Sequence, residues 1–390
     1  MTAATSIFSF RLAVFLTVVC FAVALQNAQA QIVQTTNHPE GVNFEIGYDQ
    51  VDPVDGKGGS GLSGPYTPVR GWPEPPEPGR MLADVPSVFI ASPERIIVGA
   101  RRTKDTWPIP YTWDARSIYK YLADDRTRIY RRPESSHKIT VYNRQGVMLE
   151  HWEQWDEMFP SIQFIRISPH DPEGHVYVTG RGKITKVSND GQQLIYVINP
   201  EDVPTTTDQA TFFPEGMTFL PDGDFWTVSS ERVVRFTADG NYVTEFGRRG
   251  SGPGELNGAH DLFYDQAGGR IYVADRNNHR VQVFDANGRF LDQWPNIVAP
   301  AVVRMTQDRR FLWVADIFTA KFLKFDLDGK LQESWGTWGF GPGAITGGIH
   351  DFTTDSEGNL YIADHSNTIQ KLVPREGGDP EQLIGRLLPY

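Results

Sequence analysis

Short apolar segments that end in small or acidic residues recur along the chain at intervals of 41 to 49 residues. Each follows a turn rich in Gly, Asp or Asn, and each precedes a second apolar run, another turn and a segment that ends in aromatic residues. Four short strands in a repeat of about 45 residues, without helical periodicity, are typical of a β-propeller blade. The five clearest copies are Val176–Gly180, Phe225–Ser229, Ile271–Asp275, Leu312–Asp316 and Leu360–Asp364.

These repeats predict an all-β fold, a six-bladed β-propeller over residues 81–390. A four-stranded sheet cannot bury both of its faces alone, so the blades are expected to stack radially around a central axis. The last blade is expected to end near Leu388. The approximate blade boundaries are 84–155, 159–198, 212–247, 258–296, 299–336 and 348–388.

The first blade carries an insertion at about 102–137, between the strand-like segments Arg95–Ala100 and His137–Tyr142. The inserted residues are rich in Trp, Tyr and Arg and include Tyr111 and Tyr119. Because a long loop in a regular repeat is usually functional, we interpret the insertion as a lid over a site.

The N-terminal segment 1–30 has the pattern of a cleavable signal peptide. An apolar run of about 14 residues follows Arg11 and precedes Ala28-Gln29-Ala30, whereas a membrane anchor needs about 20 apolar residues. Cleavage after Ala30 would remove Cys20, the only cysteine. We therefore expect a periplasmic or secreted bacterial protein without disulfides or a membrane span. Residues 31–80 form a Gly- and Pro-rich arm, in which no regular element is expected.

The charge balance argues against a nucleic-acid partner. Lys and Arg number 37 and Asp and Glu 48, which gives a formal net charge of −11 with no long basic run. No glycine fingerprint for a nucleotide and no Gly-x-Ser-x-Gly elbow is present in the sequence. The expected partner is a small-molecule or peptide-like substrate, and the expected oligomeric state is a monomer.

The residues that begin the innermost strand of each blade are expected to converge at one mouth of the central channel. Alignment on the turns places five residues at equivalent positions in blades two to six: Gln163, Glu215, His260, approximately Ala301, and His350. Two imidazoles and a carboxylate around one axis suit Zn or another divalent transition metal. The alternative interpretation is that each histidine is simply a hydrogen-bonded polar residue.

The residues that follow the second strands are expected on the same face. Arg181, Arg276 and His365 are the candidates for substrate binding there. For the aspartates that recur at this blade position (Asp275, Asp316 and Asp364), a role in capping the turn is the stronger interpretation.

The repeats resemble the NHL family of propeller repeats. The similarity is clearest in Gly250-Ser251-Gly252-Pro253-Gly254-Glu255-Leu256, His260-Asp261-Leu262 and 273–281 (Val-Ala-Asp-Arg-Asn-Asn-His-Arg-Val). This resemblance implies the propeller fold, whereas the functions of NHL propellers vary widely.

Among NHL enzymes, the chain is most similar to the peptidyl-α-hydroxyglycine α-amidating lyases, which cleave a peptide carbinolamide into a peptide amide and glyoxylate. That resemblance implies that His260 and His350 are zinc ligands and that Asp351 binds a structural calcium ion. It also implies that Arg101 is the catalytic arginine. Two features depart from the family pattern: Gln163 stands near the position of the third zinc histidine, and the loop 228–232 is short and lacks the catalytic tyrosine.

Two functions therefore remain open. In the first, an exported metal-dependent lyase, or a hydrolase, has Glu215 or Gln163 beside the two histidines, a phenol from Tyr111 or Tyr119, and Arg101 to hold a substrate carboxylate. In the second, a non-catalytic periplasmic propeller binds a protein, peptide or glycan on the same face.

Overall fold

The computed structural model describes residues 63–76, 80–105, 137–159, 161–204, 212–336, 343–365 and 369–389. The predicted signal peptide, most of the arm and most of the blade-one insertion, including Tyr111 and Tyr119, lie outside these ranges. In the described part, no helix is long and apolar enough to cross a membrane.

Six antiparallel sheets of four strands surround a central axis, which confirms the predicted six-bladed β-propeller. Blade one contains β3 (Ser87–Ser92), β4 (Arg95–Gly99), β6 (Ile139–Tyr142) and β7 (Met148–His151). Blade two contains β8 (Phe164–Ile167), β9 (Val176–Gly180), β10 (Lys183–Val187) and β11 (Leu194–Ile198). Blade three contains β12 (Met217–Phe219), β13 (Phe225–Ser229), β14 (Arg232–Phe236) and β15 (Tyr242–Phe246).

The other three blades follow the same order. Blade four contains β16 (Ala259–Asp265), β17 (Arg270–Asp275), β18 (Arg280–Asp285) and β19 (Phe290–Trp294). Blade five contains β20 (Pro300–Met305), β21 (Phe311–Asp316), β22 (Lys321–Asp326) and β23 (Leu331–Trp335). Blade six contains β24 (Ile349–Thr354), β25 (Leu360–Asp364), β26 (Ile369–Pro374) and, as its outer strand, β1 (Tyr66–Pro68).

The remaining elements are short. A two-stranded sheet pairs β2 (Arg80–Ala83) with β5 (Arg102–Asp105), where the chain enters and leaves the first half of blade one. The described residues also form four 3-10 helices of three residues each: Glu153–Trp155, Pro200–Asp202, Arg276–Asn278 and Pro380–Gln382.

The propeller ring is closed by the N-terminal arm and not by a strand near Leu388. β1 pairs with β26, with Tyr66 opposite Pro374 and Pro68 opposite Leu372. The Tyr66 ring lies 5.6 Å from that of Trp335, and its hydroxyl accepts a hydrogen bond from the Ile384 amide at 3.0 Å. The arm therefore contains a regular element, and it fastens the last blade with residues from both ends of the propeller.

The hydrophobic core consists of six clusters, one at each junction between neighbouring blades. Alternate residues of each strand face opposite neighbours, so every blade buries both of its faces only when the ring is complete. At the junction of blades five and six, for example, Phe322 packs edge-on against Phe352 at 5.1 Å. This packing fixes the first strands around the axis and thereby places the site described next.

Candidate functional site

The candidate site lies at the end of the central channel where the first strands begin and the second strands finish. In blades four, five and six the pairing of the first strand with the second skips one residue near the start of the first strand, and the skipped residues are His260, Ala301 and His350. Such a β-bulge re-aims a side chain relative to the regular pleat. Because the three bulges are equivalent, the two histidines are presented to the axis in the same way.

Both axial histidines are buried, each 2% exposed, and both are hydrogen-bonded through Nδ1. His260 Nδ1 lies 2.8 Å from the Ala301 carbonyl oxygen, and His350 Nδ1 lies 2.9 Å from the Pro86 carbonyl oxygen. A carbonyl can only accept, so each Nδ1 carries the proton and donates it. Burial lowers the pKa of both imidazoles well below the usual value. Both rings are therefore neutral, with a lone pair at Nε2.

The two imidazole rings are neighbours around the axis. Their centroids are 4.6 Å apart, and their planes are inclined at 71°. The Phe164 ring packs beside both, with its centroid 5.5 Å from that of His260 and 5.3 Å from that of His350. This apolar contact helps to keep water from the histidines, which agrees with the direction of their pKa values.

Glu215 places a buried carboxyl group beside His260. Its Oε2 lies 3.9 Å from His260 Nε2 and has no hydrogen-bond partner in the described part of the chain. Burial raises the pKa of Glu215 to about 8, although the Arg276 and Arg101 guanidinium groups oppose that change. Below that pH the side chain is a neutral acid next to a neutral imidazole, so the contact is not an ion pair.

Arg101 is held by a dense set of acceptors. Its Nε donates to the Ile162 carbonyl oxygen at 2.9 Å, and its Nη1 lies 3.3 Å from Asp84 Oδ1 and 2.7 Å from His365 Nε2. Its Nη2 donates to Gln163 Oε1.

Gln163 links this arginine to Glu215, because its Nε2 donates to Glu215 Oε1 at 3.3 Å. The position where the lyase resemblance expects a third histidine therefore holds an amide that connects the guanidinium group to the buried carboxyl group.

The three residues proposed for substrate binding have different environments. Arg276 is half-buried, and burial lowers the pKa of its guanidinium group, to which no hydrogen bond or ion pair is found among the described residues. The His365 ring stacks on that of His350 with centroids 5.2 Å apart and its side chain is 39% exposed. Arg181 is exposed, with a positive φ of 43°. Arg276 and His365 thus lie beside the axial histidines, whereas among the described residues no contact links Arg181 to them.

The recurring aspartates cap turns, as the sequence pattern indicated. Asp275 Oδ1 accepts from the Asn257 amide at 2.8 Å, Asp316 Oδ2 from the Ala299 amide at 3.0 Å, and Asp364 Oδ1 from the Gly347 amide at 2.8 Å. Asp351 differs, because both of its carboxylate oxygens accept hydrogen bonds from arginine side chains.

Sequence reasoning did not select Asp84, Phe164, Arg166 or Arg304. Asp84 lies outside the repeat pattern, and Phe164 has the ordinary apolar character of a strand. Arg166 and Arg304 did leave a signal, since each is a single charge between apolar neighbours in an inner strand.

The donor set fits a metal ion in part. Histidine ligands of metals generally donate their second ring nitrogen to a carbonyl or carboxylate, as both axial histidines do here. Glu215 Oε2 is a buried oxygen that has no hydrogen-bond partner among the described residues. However, in the described part of the chain no group of three or more His, Cys, Asp or Glu side chains is arranged to hold a metal ion. Two imidazole donors are therefore in place, and Glu215 would have to move to complete a three-ligand set.

Comparison with known proteins finds similarity to NHL repeats. The NHL repeat family matches residues 256–284, which cover most of the first three strands of blade four. The chain is 28% identical over 203 residues to human (Homo sapiens) NHL repeat-containing protein 3, an alignment that spans 48% of this chain and 58% of that protein. The chain is therefore a six-bladed β-propeller whose fourth blade matches the NHL repeat.

A second relative agrees with the finer resemblance. The chain is 24% identical over 271 residues to peptidylglycine alpha-amidating monooxygenase of the rat (Rattus norvegicus), an alignment that covers 62% of this chain and 25% of that protein. The chain thus spans less than two thirds of the length of either relative. The predicted resemblance to NHL proteins and to amidating enzymes is confirmed as sequence similarity.

Among solved structures, a streptogramin B lyase has a TM-score of 0.49 at 13% identity, over 80% of this chain and 97% of that one.

Proposed function

We propose that this protein is an exported, metal-dependent lyase-like enzyme whose site is the axial pair His260 and His350. The observation that carries the proposal is the matched state of these two imidazoles. Each donates Nδ1–H to a backbone carbonyl and keeps an Nε2 lone pair beside its neighbour. Buried neutral imidazoles with fixed tautomers are prepared for a divalent transition metal such as Zn. Glu215 is the proposed third ligand.

The substrate in this proposal bears a carboxylate or is peptide-like. Arg276 is half-buried and without a described partner, so it is the cation best able to receive a new anion. Arg101 would act from the opposite side, where Asp84 and Gln163 fix its guanidinium plane. Two arginines around a small buried site favour an anionic ligand because guanidinium groups bind carboxylates in a planar, bidentate manner.

The chemistry proposed is cleavage of a carbinolamide into an amide and glyoxylate. A bound metal would polarise the substrate oxygen and lower the pKa of its hydroxyl group. The chain's own part is to orient the substrate through Arg276 and Arg101 and to exclude water with Phe164. In the reaction the C–N bond breaks, the amide nitrogen gains a proton, and the hydroxyl group loses one to become the aldehyde of glyoxylate.

Gln163 favours a second candidate function, that of a non-catalytic binding propeller. It stands near the position where the lyase resemblance implies a third histidine, and it is hydrogen-bonded to both Arg101 and Glu215. Such a site would bind an anionic peptide without turning it over.

Metal content tests the first proposal. Elemental analysis of the purified protein should find one transition metal ion per chain, and His260→Ala and His350→Ala should each lose most of it. His170→Ala, a change outside the site, is the control. Unchanged metal content in both axial variants would overturn the metal site.

A lyase assay separates the two functions. The protein should release glyoxylate from a peptide that ends in α-hydroxyglycine, and Arg276→Met should raise KM for that peptide while the exposed Arg248→Met should not. A metal-loaded protein that binds the peptide but releases no glyoxylate would favour the binding propeller.

A further inference from the structure

Four buried charged residues from four inner strands lie in the channel next to the axial histidines. Asp261 and Asp351 follow His260 and His350, and they meet Arg166 from blade two and Arg304 from blade five. The aspartates are 0% exposed, and the arginines are 0% and 1% exposed. We call these four residues the arginine–aspartate network; its formal charges cancel.

The Asp351 carboxylate is saturated by donors. Its Oδ2 accepts from Ser87 Oγ at 2.9 Å and from Arg166 Nη1 at 2.8 Å. Its Oδ1 accepts from Arg304 Nη2 at 2.7 Å and from the Phe352 amide at 3.0 Å. With about four lone-pair positions on a carboxylate, little capacity remains for another cation.

Arg166 also binds the kind of backbone oxygen that a calcium ion would need. The same Nη1 that contacts Asp351 donates to the Ile165 carbonyl oxygen at 2.8 Å. Calcium requires six to eight oxygen ligands at roughly 2.3–2.6 Å, drawn from carboxylates, backbone carbonyls and water. Here a carboxylate and a carbonyl are bound by a guanidinium group instead, so the calcium ion implied by the lyase resemblance does not fit at Asp351.

The network joins inner strands around the axis. Arg304 Nη1 donates to Asp261 Oδ2 and to the Val303 carbonyl oxygen at 2.7 Å. Asp261 Oδ2 also accepts from the Val303 amide at 3.2 Å. Together with Ser87, the network connects blades one, two, four, five and six.

We infer that the Arg166 guanidinium group, supported by Arg304, serves as the built-in cation of the channel, so that the propeller closes around Asp351 without calcium. The inference stands independently of the proposed lyase function, because it concerns the stability of the fold and not the chemistry at the histidines.

The first test is thermal unfolding of the full-length mature protein in EDTA and in millimolar CaCl2. The expected Tm is the same in both buffers within about 1 °C, since a ligand that binds only the folded state would raise it. Dialysed protein should contain no stoichiometric calcium. A Tm several degrees higher in CaCl2, or one calcium ion per chain, would overturn the inference.

The second test removes the cation. Arg166→Met should lower Tm by roughly 5–10 °C, because the buried Asp351 carboxylate loses one of its two arginine partners. Asp351→Asn should also lower Tm, but the double variant should lose less than the two single losses combined, since the partners act as a unit. Arg232→Met is the matched control: Arg232 is 2% exposed and paired with Glu245 away from Asp351, so its effect should add to that of Asp351→Asn.

A wild-type Tm in Arg166→Met, or additive losses for Arg166 and Asp351, would contradict the role of Arg166. If Arg166→Met does not fold, the calcium measurement on the wild-type protein still decides the question.

Discussion

The axial histidines and the arginine–aspartate network occupy adjacent residues of the same strands but are built in opposite ways. In blades four and six a His-Asp pair opens the inner strand, and each histidine serves one region while each aspartate serves the other. At Asp351 every carboxylate oxygen receives several donors. At the histidines, the hydrogen bonds of the two rings are made by Nδ1, and Glu215 Oε2 has no hydrogen-bond partner among the described residues.

This difference separates structure from function within one channel. Buried polar groups are normally satisfied, and an unsatisfied one costs stability that a protein recovers only through a ligand or a chemical role. The network around Asp351, both of whose oxygens are hydrogen-bonded although Asp261 Oδ1 is not, is therefore expected to respond to mutation mainly through stability. The incompletely satisfied site should respond mainly through binding.

The largest effect is expected for Arg304→Met. This substitution leaves Asp261 and part of Asp351 buried without their shared cation, so we expect a loss of about 3–5 kcal/mol in the free energy of unfolding. Denaturant unfolding of both proteins measures it. Arg309→Met is the control, because its side chain is 38% exposed and its ion pair with Asp265 should be worth less than about 1 kcal/mol. Equal losses for the two variants would show that the buried network stabilises the fold no more than a partly exposed ion pair does.

Gly216→Ala should disturb the boundary between the two regions. A Cβ at Gly216 would lie 1.9 Å from Asp261 Oδ1 and 2.8 Å from its Cα, so the backbone of blade three or four must move. Overpacking of this kind costs about 1–3 kcal/mol. Metal content should also fall, because Glu215, the proposed third ligand, directly precedes Gly216. Gly252→Ala is the control, since its Cβ would meet only the mobile end of Glu255, at 3.1 Å. If Gly216→Ala were as stable as the wild type and bound as much metal, the histidine site and the arginine–aspartate network would not be coupled through Gly216.

The blade count could be predicted from the sequence because it depends on a repeated pattern, and each repeat supplies its own strands and turns. The closure of the ring could not. β1 comprises only Tyr66, Thr67 and Pro68 within a Gly- and Pro-rich arm, and its pairing with β26 depends on contacts more than 300 residues apart, such as Tyr66 with Ile384.

The proximity of His260 and His350 could be predicted from the sequence, but the hydrogen bonds around them could not. Repeat register placed His260 and His350 at equivalent points, and the bulges at both residues agree with that register. The contact of Gln163 with Arg101 and Glu215 depends on side-chain conformations that a strand pattern does not determine. The isolated charges Arg166 and Arg304 were a readable signal, since an arginine between apolar residues of an inner strand requires a buried partner.

A moderate effect that varies with pH is expected for Glu215→Gln in EDTA. The pKa of Glu215 is about 8 in the folded protein and lower in the unfolded chain, where its ordinary value is 4.5. Between these values the folded state retains a proton that the unfolded state releases, so this group's contribution to stability declines as the pH rises towards 8. Glutamine cannot ionise and does not lose stability in this way. The Tm of the variant minus that of the wild type should therefore increase by several degrees from about pH 5 to pH 8.5.

Glu255→Gln is the control for that measurement. Hydrogen bonding to the Gly252 amide lowers the pKa of Glu255, so this carboxylate stays ionised throughout the same pH range. The difference in Tm between Glu255→Gln and the wild type should therefore be the same at every pH in that range. A constant difference for Glu215→Gln as well would mean that the Glu215 carboxyl group is solvated.

The smallest effect on stability is expected for Arg276→Met, the counterpart of Arg166→Met in the histidine region. Burial lowers the pKa of Arg276, and none of the described residues forms an ion pair with it, so methionine should change the free energy of unfolding by no more than about 0.5 kcal/mol or should raise it. Binding of N-acetylglycine, a small peptide-like carboxylate, should nevertheless weaken about tenfold or more in a calorimetric titration, because a charge-assisted hydrogen bond is lost. A loss of stability as large as that of Arg304→Met, with binding unchanged, would place Arg276 with the structural arginines and leave the histidine site without its anion-binding residue.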